Sequence, residues 1–164
     1  MRKIICFHNP DESYGWLSNW YLSDFTVDGI RFSSMEQYMM YHKAELFHDG
    51  EIKKEIMSTD NVGKIKALGR AVRNYDEVIW NGMRQVIVYN GLYAKFSCNE
   101  ELKEKLLATG NHILAECAVQ DRIWGNGISM KDDKRFDMKS WKGQNLLGFS
   151  IMLVRERLRE EQER

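Results

Sequence analysis

Two charged side chains interrupt an apolar helix face. The run from Ser34 to Phe47 reads as a helix. On a wheel of about 100° per residue, Met40, Lys43 and Phe47 all fall within about 40° of Glu36. Met39 and Leu46 flank the stripe. Burying a carboxylate or an ammonium is costly unless something pairs with it. Two turns separate Glu36 from Lys43, roughly 10 Å along the axis. That is long for a direct ion pair and suits the bracketing of a sugar-sized ligand. The structural alternative is that each charge pairs with another core charge, or that Lys43 reaches water along its own stem.

A second constellation lies on the run from Asp76 to Phe96. Trp80, Arg84, Val88, Gly91 and Lys95 share one stripe. A ring, two cations and a gap at Gly91 suit a base and a phosphate. The structural alternative is a core Trp beside surface cations. The adjoining stripe, Ile79, Met83, Val86, Ile87, Asn90 and Ala94, is predicted to be core, because a helix apolar on most sides is usually central.

A third segment sets Glu116 and Asp121 beside Trp124-Gly125-Asn126-Gly127. It reads as a site edge or as an ordinary turn anchored by a buried Trp. Trp141-Lys142-Gly143-Gln144-Asn145 is a similar loop, ahead of a helix whose N–H groups would suit an anion. Other chemistries lack their patterns. His8, His42, His48 and His112 form no metal motif. No nucleophile elbow or Walker sequence is present, and Met130 breaks the dinucleotide fingerprint that Gly125 and Gly127 begin.

The elements that must position these residues are mostly helices. A short strand is predicted over 3–8, halted by Asn9-Pro10-Asp11. Phe25–Val27 and Ile30–Phe32 flank Asp28-Gly29, a hairpin signal. Ser33 or Ser34 caps the first helix, which runs to about His48. Helices follow near 50–58 and 62–72, then a long one from the Asp76 cap to about 96, then 100–108. His112–Cys117 is a strand. A final helix over 144–160 buries Leu147, Ile151, Val154 and Leu158. Its end, Arg155–Arg164, holds alternating charges and reads as a solvated face. The fold class is therefore mainly α with a few short β-strands.

Composition sets the outer bounds. The chain has 164 residues, 43% hydrophobic and 29% charged. One domain over 1–164 is expected. Lys plus Arg and Asp plus Glu each number 24, so no global field draws in a polyanion. Cys6, Cys98 and Cys117 are odd in number and widely spaced, which fits a reducing compartment rather than a disulfide framework. Arg2 and Lys3 precede an apolar run of only Ile4–Phe7, too short for a signal-peptide core. No apolar run approaches a membrane span. A cytoplasmic protein without a membrane partner is expected.

Taken in order, these segments resemble the YbiA-like family, also called NADAR. The resemblance rests on Gly15-Trp16-Leu17-Ser18-Asn19-Trp20-Tyr21, the hairpin with Ser34-Met35-Glu36-Gln37-Tyr38, Lys43, and Trp80-Asn81-Gly82-Met83-Arg84. It continues through Lys95-Phe96, Thr109-Gly110, Glu116, Asp121, Trp124–Gly127 and Trp141–Gly148. Trp20, Leu22, the stretch 40–44 and Val119 depart from the family's usual residues and alter the pocket lining. The resemblance implies a compact, mainly helical fold and N-glycosidase activity. Two substrate groups are implied: phosphoribosylamino-pyrimidine intermediates of riboflavin synthesis, and ADP-ribose attached to guanine in nucleic acid.

Cleavage of a ribosyl C–N bond builds positive charge at C1′ and negative charge on the leaving base. A carboxylate stabilises the first or activates water; Glu36 is the candidate. Lys43 is the second catalytic candidate, as a donor to the sugar or as a nucleophile forming an imine. Trp80 and Trp124 are candidates for stacking on the base, and Arg84 and Lys95 for the phosphate. Asn19, Asp121 and Asn145 are candidates for ribose hydroxyls. Glu116 and Gly125 complete the expected substrate-binding set. The chemistry calls for no cofactor or metal. The expected partner is a small phosphorylated riboside, with ADP-ribosylated nucleic acid as the alternative. Two other classes stand beside the enzyme: a module binding ADP-ribose or a nucleotide without turnover, and a protein working through its charged C-terminal helix.

Overall fold

A computed structural model of the protein describes residues 3–164. Met1 and Arg2, the start of the basic N-terminus, lie outside the described residues. Six α-helices dominate: α1 (Met35–Leu46), α2 (Gly50–Met57), α3 (Val62–Arg70), α4 (Glu77–Ser97), α5 (Glu100–Ala108) and α6 (Leu146–Gln162). The strands are short: β1 (Ile4–Phe7), β2 (Phe25–Val27), β3 (Ile30–Phe32) and β4 (Ile113–Glu116). The mainly helical class and the order of elements are as the sequence predicts. None of the described helices is long and apolar enough to cross a membrane.

The described chain forms two compact units. One is continuous, 22–98; the other joins the N-terminal segment through Tyr21 to 99–164. In the continuous unit, β2 and β3 pair antiparallel, with Val27 opposite Ile30. Asp28 and Gly29 both take positive φ, 51° and 78°. That is the type I′ turn whose twist matches the strands. Phe25, Phe32 and Tyr38 bring their rings together where the hairpin meets α1.

Ser34 starts α1: its Oγ accepts from the Gln37 N–H at 3.1 Å. Gln37 is buried and fully engaged. Its Oε1 accepts from the Ser33 N–H at 2.8 Å and from the Ser33 hydroxyl at 3.0 Å. Its Nε2 donates to the carbonyls of Ile56 and Thr59, at 3.1 and 3.0 Å. One amide therefore ties the start of α1 to the end of α2. Gln37→Leu leaves several buried backbone groups unpaired, each worth about 1–3 kcal/mol. A loss of about 3 kcal/mol is expected in urea unfolding; a midpoint unchanged from the parent would refute the tie.

The structure corrects the reading of α4. Its buried face is Trp80, Val88, Gly91, Leu92, Lys95 and Phe96. Ile79, Met83 and Val86, predicted as core, are 48%, 43% and 58% exposed. The helix offers two apolar faces, and packing selects the one with Gly91. A Cβ at Gly91 would collide with the Tyr38 ring, so the glycine lets α4 close onto α1.

In the discontinuous unit, β1 and β4 pair in parallel, with Cys6 opposite Ala115 and Phe7 opposite Glu116. Helix α6 packs on β4, and α5 packs on α6. Leu147, Ile151, Val154 and Leu158 are buried on α6 as predicted. The charged end is not wholly solvated. Arg155 is 2% exposed, and its guanidinium donates to Thr109 Oγ1 at 2.8 Å and to the His112 carbonyl at 2.9 Å. The reason is geometric: the carbonyl-rich turn after α5 comes to the α6 face that carries Arg155.

Candidate active site

The continuous unit holds the first group of candidates. Glu36 is 5% exposed on the first turn of α1. Acid in a first turn is favoured by the helix dipole, but here the side chain is inside. Met40 and Phe47 on the same stripe are also buried. Lys43 is half-buried, and its amine lies 4.7 Å from the Tyr75 ring centroid and 5.6 Å from that of Trp80. Burial pushes the Lys43 amine below the ordinary lysine range; the Glu36 charge opposes that shift and Arg70 adds to it. The ring faces attract the protonated form. The Glu36 charge thus acts on an amine that also lies near the Tyr75 and Trp80 rings. Tyr75 joins this group without any signal in the helix wheel, because it stands just before the Asp76 cap of α4, on a different element.

Arg84 and Lys95 differ more than their shared stripe suggests. Arg84 is half-buried, while Lys95 is 1% exposed with its amine 5.1 Å from the Phe96 centroid. They stand on one unbroken helix, roughly 16 Å apart along its axis. Joint grip on one phosphate would require both side chains fully extended toward each other.

The discontinuous unit carries the remaining candidates, and much of their polar capacity serves the fold. Asn145 is fully buried at φ 52°, just before α6. Its Oδ1 accepts from the Glu116 N–H and its Nδ2 donates to the Leu114 carbonyl, both at 2.9 Å. It bolts β4 to α6. Asp121 Oδ1 accepts from the Ile123 and Trp124 N–H groups, at 3.0 and 2.9 Å, which fixes the turn that presents Trp124. A Cβ at Gly125 would stand 2.7 Å from the Asp121 carbonyl oxygen. The glycine is therefore required by the turn itself. The N–H groups of Leu146 and Leu147, expected to suit an anion, donate instead to the carbonyls of Ile123 and Trp124, at 3.1 Å each.

Two more of these candidates are Asn19 and Glu116. Asn19 is 7% exposed, and its Oδ1 has no hydrogen-bond partner among the described residues. Glu116 faces His8, with 3.4 Å between Oε1 and Nδ1. The sequence reading passed over His8, which only the parallel pairing of β1 with β4 brings to Glu116. The carboxylate raises the His8 imidazole above its ordinary value, against the opposing effect of burial. The charged imidazole is therefore favoured in the fold. Its contribution is complete below the ordinary histidine value and is lost as pH rises through the raised one. Titration of the His8 ring by NMR should give a value above 6.5 that drops in Glu116→Gln. An unmoved titration would remove Glu116 as the cause.

The order of these elements and residues is matched by a known domain. The sequence profile of the NADAR domain covers residues 6–159. The chain belongs to the NADAR domain family. Relatives in this family include N-glycosidase R617 of Acanthamoeba polyphaga mimivirus, 38% identical over 94% of this chain and 95% of that one. The riboflavin biosynthesis protein VVA0006 of Vibrio vulnificus is 30% identical over 98% of this chain, a match that spans 40% of its own length. N-glycosidase YbiA of Escherichia coli is 29% identical over 94% of this chain and 88% of its own. The NMR structure of E. coli YbiA superposes with a TM-score of 0.82 at 28% identity, covering 98% of this chain and 88% of that one. The NADAR fold is thus shared at both the sequence and the backbone level.

Proposed function

We propose that this NADAR domain, acting as one functional domain, is an N-glycosidase that hydrolyses the bond between ribose C1′ and a base nitrogen in a small phosphorylated riboside. The observation that carries the proposal is Glu36, a carboxylate buried on an apolar helix face two turns from an amine lowered by burial. An idle charge there would be expensive. The names of the relatives, N-glycosidases and a riboflavin biosynthesis protein, support the reaction class and favour early pyrimidine ribosides of that pathway as substrates.

In the proposed reaction the C1′–N bond breaks with its electron pair going to the base, which then takes up a proton. Glu36 stabilises the cationic C1′ or deprotonates the attacking water. Lys43 has two routes. As an ammonium it hydrogen-bonds the sugar. As an amine it attacks C1′, the ribose ring opens to an imine, and water releases the sugar and restores Lys43. Trp80 supplies a face for the base and Arg84 a charge for the phosphate; the deeply buried Lys95 is the weaker phosphate candidate.

The reading favours a free metabolite over ADP-ribose carried on DNA. Acids and bases balance at 24 each, whereas a DNA-acting domain usually shows a basic stripe. The test is competition between a ribosylated pyrimidine phosphate and guanine-linked ADP-ribose on DNA, at equal concentration and several ionic strengths. A higher kcat/KM for the riboside is expected. Faster turnover of the DNA, falling steeply with salt, would reverse the order. Borohydride added during turnover separates the routes for Lys43: a sugar adduct on Lys43 establishes the imine, and no adduct with an active Lys43→Arg variant leaves the electrostatic route.

A further inference from the structure

A cavity of about 620 Å³ opens within the discontinuous unit. That volume lies in the range of small-molecule sites. Lys3, Lys105 and Arg135 line it, together with His112, and no Asp or Glu does. In a chain with equal numbers of acids and bases, this concave surface gathers one sign only. The rings of Tyr14, Trp16 and Phe136 also line it, over an apolar floor that includes Ile4 and Cys6. None of the residues assigned above to hydrolysis belongs to the lining.

Two of these cations pair with acids that are not part of the lining. Lys105 pairs with Glu101 at 2.6 Å, with side chains 43% and 75% exposed. Arg135 pairs with Asp133 at 3.4 Å, and Asp133 is fully exposed. Exposed pairs of this kind contribute about 0–1 kcal/mol. An anion within the cavity, offering several oxygens, displaces them readily. Arg135 is also positioned: its side chain is 19% exposed, it donates to the Asp132 carbonyl at 3.1 Å, and its guanidinium lies 4.1 Å from the Phe136 centroid. Tyr14 and Phe136 remain 41% and 51% exposed, so both rings keep surface outside the core, although Arg135 already covers one face of Phe136.

We propose that this cavity binds a planar aromatic ring bearing a phosphate, a ligand of the mononucleotide class, separately from the hydrolytic residues. The phosphate lies at Arg135 and Lys105, and the ring lies against Tyr14 or Phe136. Rings and cations together select the whole ligand over either half.

The test uses the full chain and adenosine 5′-monophosphate, with adenosine and inorganic phosphate as the two halves. Calorimetry gives affinity, and ¹⁵N amide shifts give location. Saturable binding is expected, at least ~10-fold tighter for the monophosphate than for either half. The shifts should centre on Cys6, Trp16, Lys105 and Arg135. Arg135→Gln and Lys105→Gln should each weaken binding at least ~5-fold. Both should hydrolyse riboside at the parental rate when no nucleotide is present. Lys105 is exposed, so its variant folds even if Arg135→Gln does not. Shifts centred on Lys43 and Trp80, equal binding by the parent and Lys105→Gln, inorganic phosphate as tight as the nucleotide, or no saturable binding would each overturn the proposal. Loss of the hydrolytic reading would show instead in Glu36→Gln, which leaves this cavity intact.

Discussion

Glu36→Gln is expected to lose at least ~10²-fold in the rate of riboside hydrolysis, the scale of a positioned acid–base group. The change keeps the shape of the side chain and removes its charge. Because Glu36 is 5% exposed, its environment amplifies that charge far beyond its value in water. The far-UV circular dichroism should remain parental, since Gln is a good helix former. Substrate binding should fall much less than turnover, because the carboxylate acts on charge that develops only as the bond breaks. A purified variant that turns over at the parental rate would remove Glu36 from the mechanism, and with it the main support for the N-glycosidase reading.

The largest expected effect on stability is at Gly148. A Cβ there would collide with the Leu114 carbonyl oxygen and press on the Asn145 amide within 2.6–2.7 Å. Those are the atoms that bolt β4 to α6. Gly148→Val therefore forces the strand and helix apart or breaks both hydrogen bonds of Asn145. Overpacking alone costs about 1–3 kcal/mol, and the two exposed ends of the broken bolt add to it. A loss of about 4 kcal/mol or more is expected, read as a large drop in thermal midpoint or as insoluble protein. A Gly148→Val protein as stable as its parent would show that α6 does not need this close approach.

Much of the fold was legible because its boundaries are chemical. Ser34 and Asp76, read as caps from the sequence, each accept from an N–H in the first turn of the following helix. Such caps are local, and a sequence displays them directly. Asp28-Gly29 announced its turn for the same reason. The faces of elements were less legible. On α4, Val78, Ile79, Met83 and Val86 are as apolar as the residues that are buried, and only tertiary packing distinguishes them. Arg155 was misread because a charge near a helix end is normally solvated; the hydroxyl and the carbonyl it satisfies lie more than forty positions away. The candidate site divides along the same line. Glu36 and Lys43 stood out as charges on an apolar stripe. The structural duties of Asn145, Asp121 and Gly125 did not, because a side chain spent on a backbone group and one offered to a ligand look alike in a sequence.

The pairing of β1 with β4 also sets a timetable. Phe7 lies opposite Glu116 in the ladder, so the first strand leaves the ribosome long before its partner is made. Synthesis at about 5–20 residues per second imposes a delay of several seconds. Over that interval the continuous unit, 22–98, is delivered whole, with its helices and hairpin contacting one another through short loops. Local contacts close fastest. This unit is therefore expected to assemble before Ile4–Phe7 can pair with β4. Only when β4 and α6 have emerged does the N-terminus find its place, which makes the last third of the chain the folding partner of its first few residues.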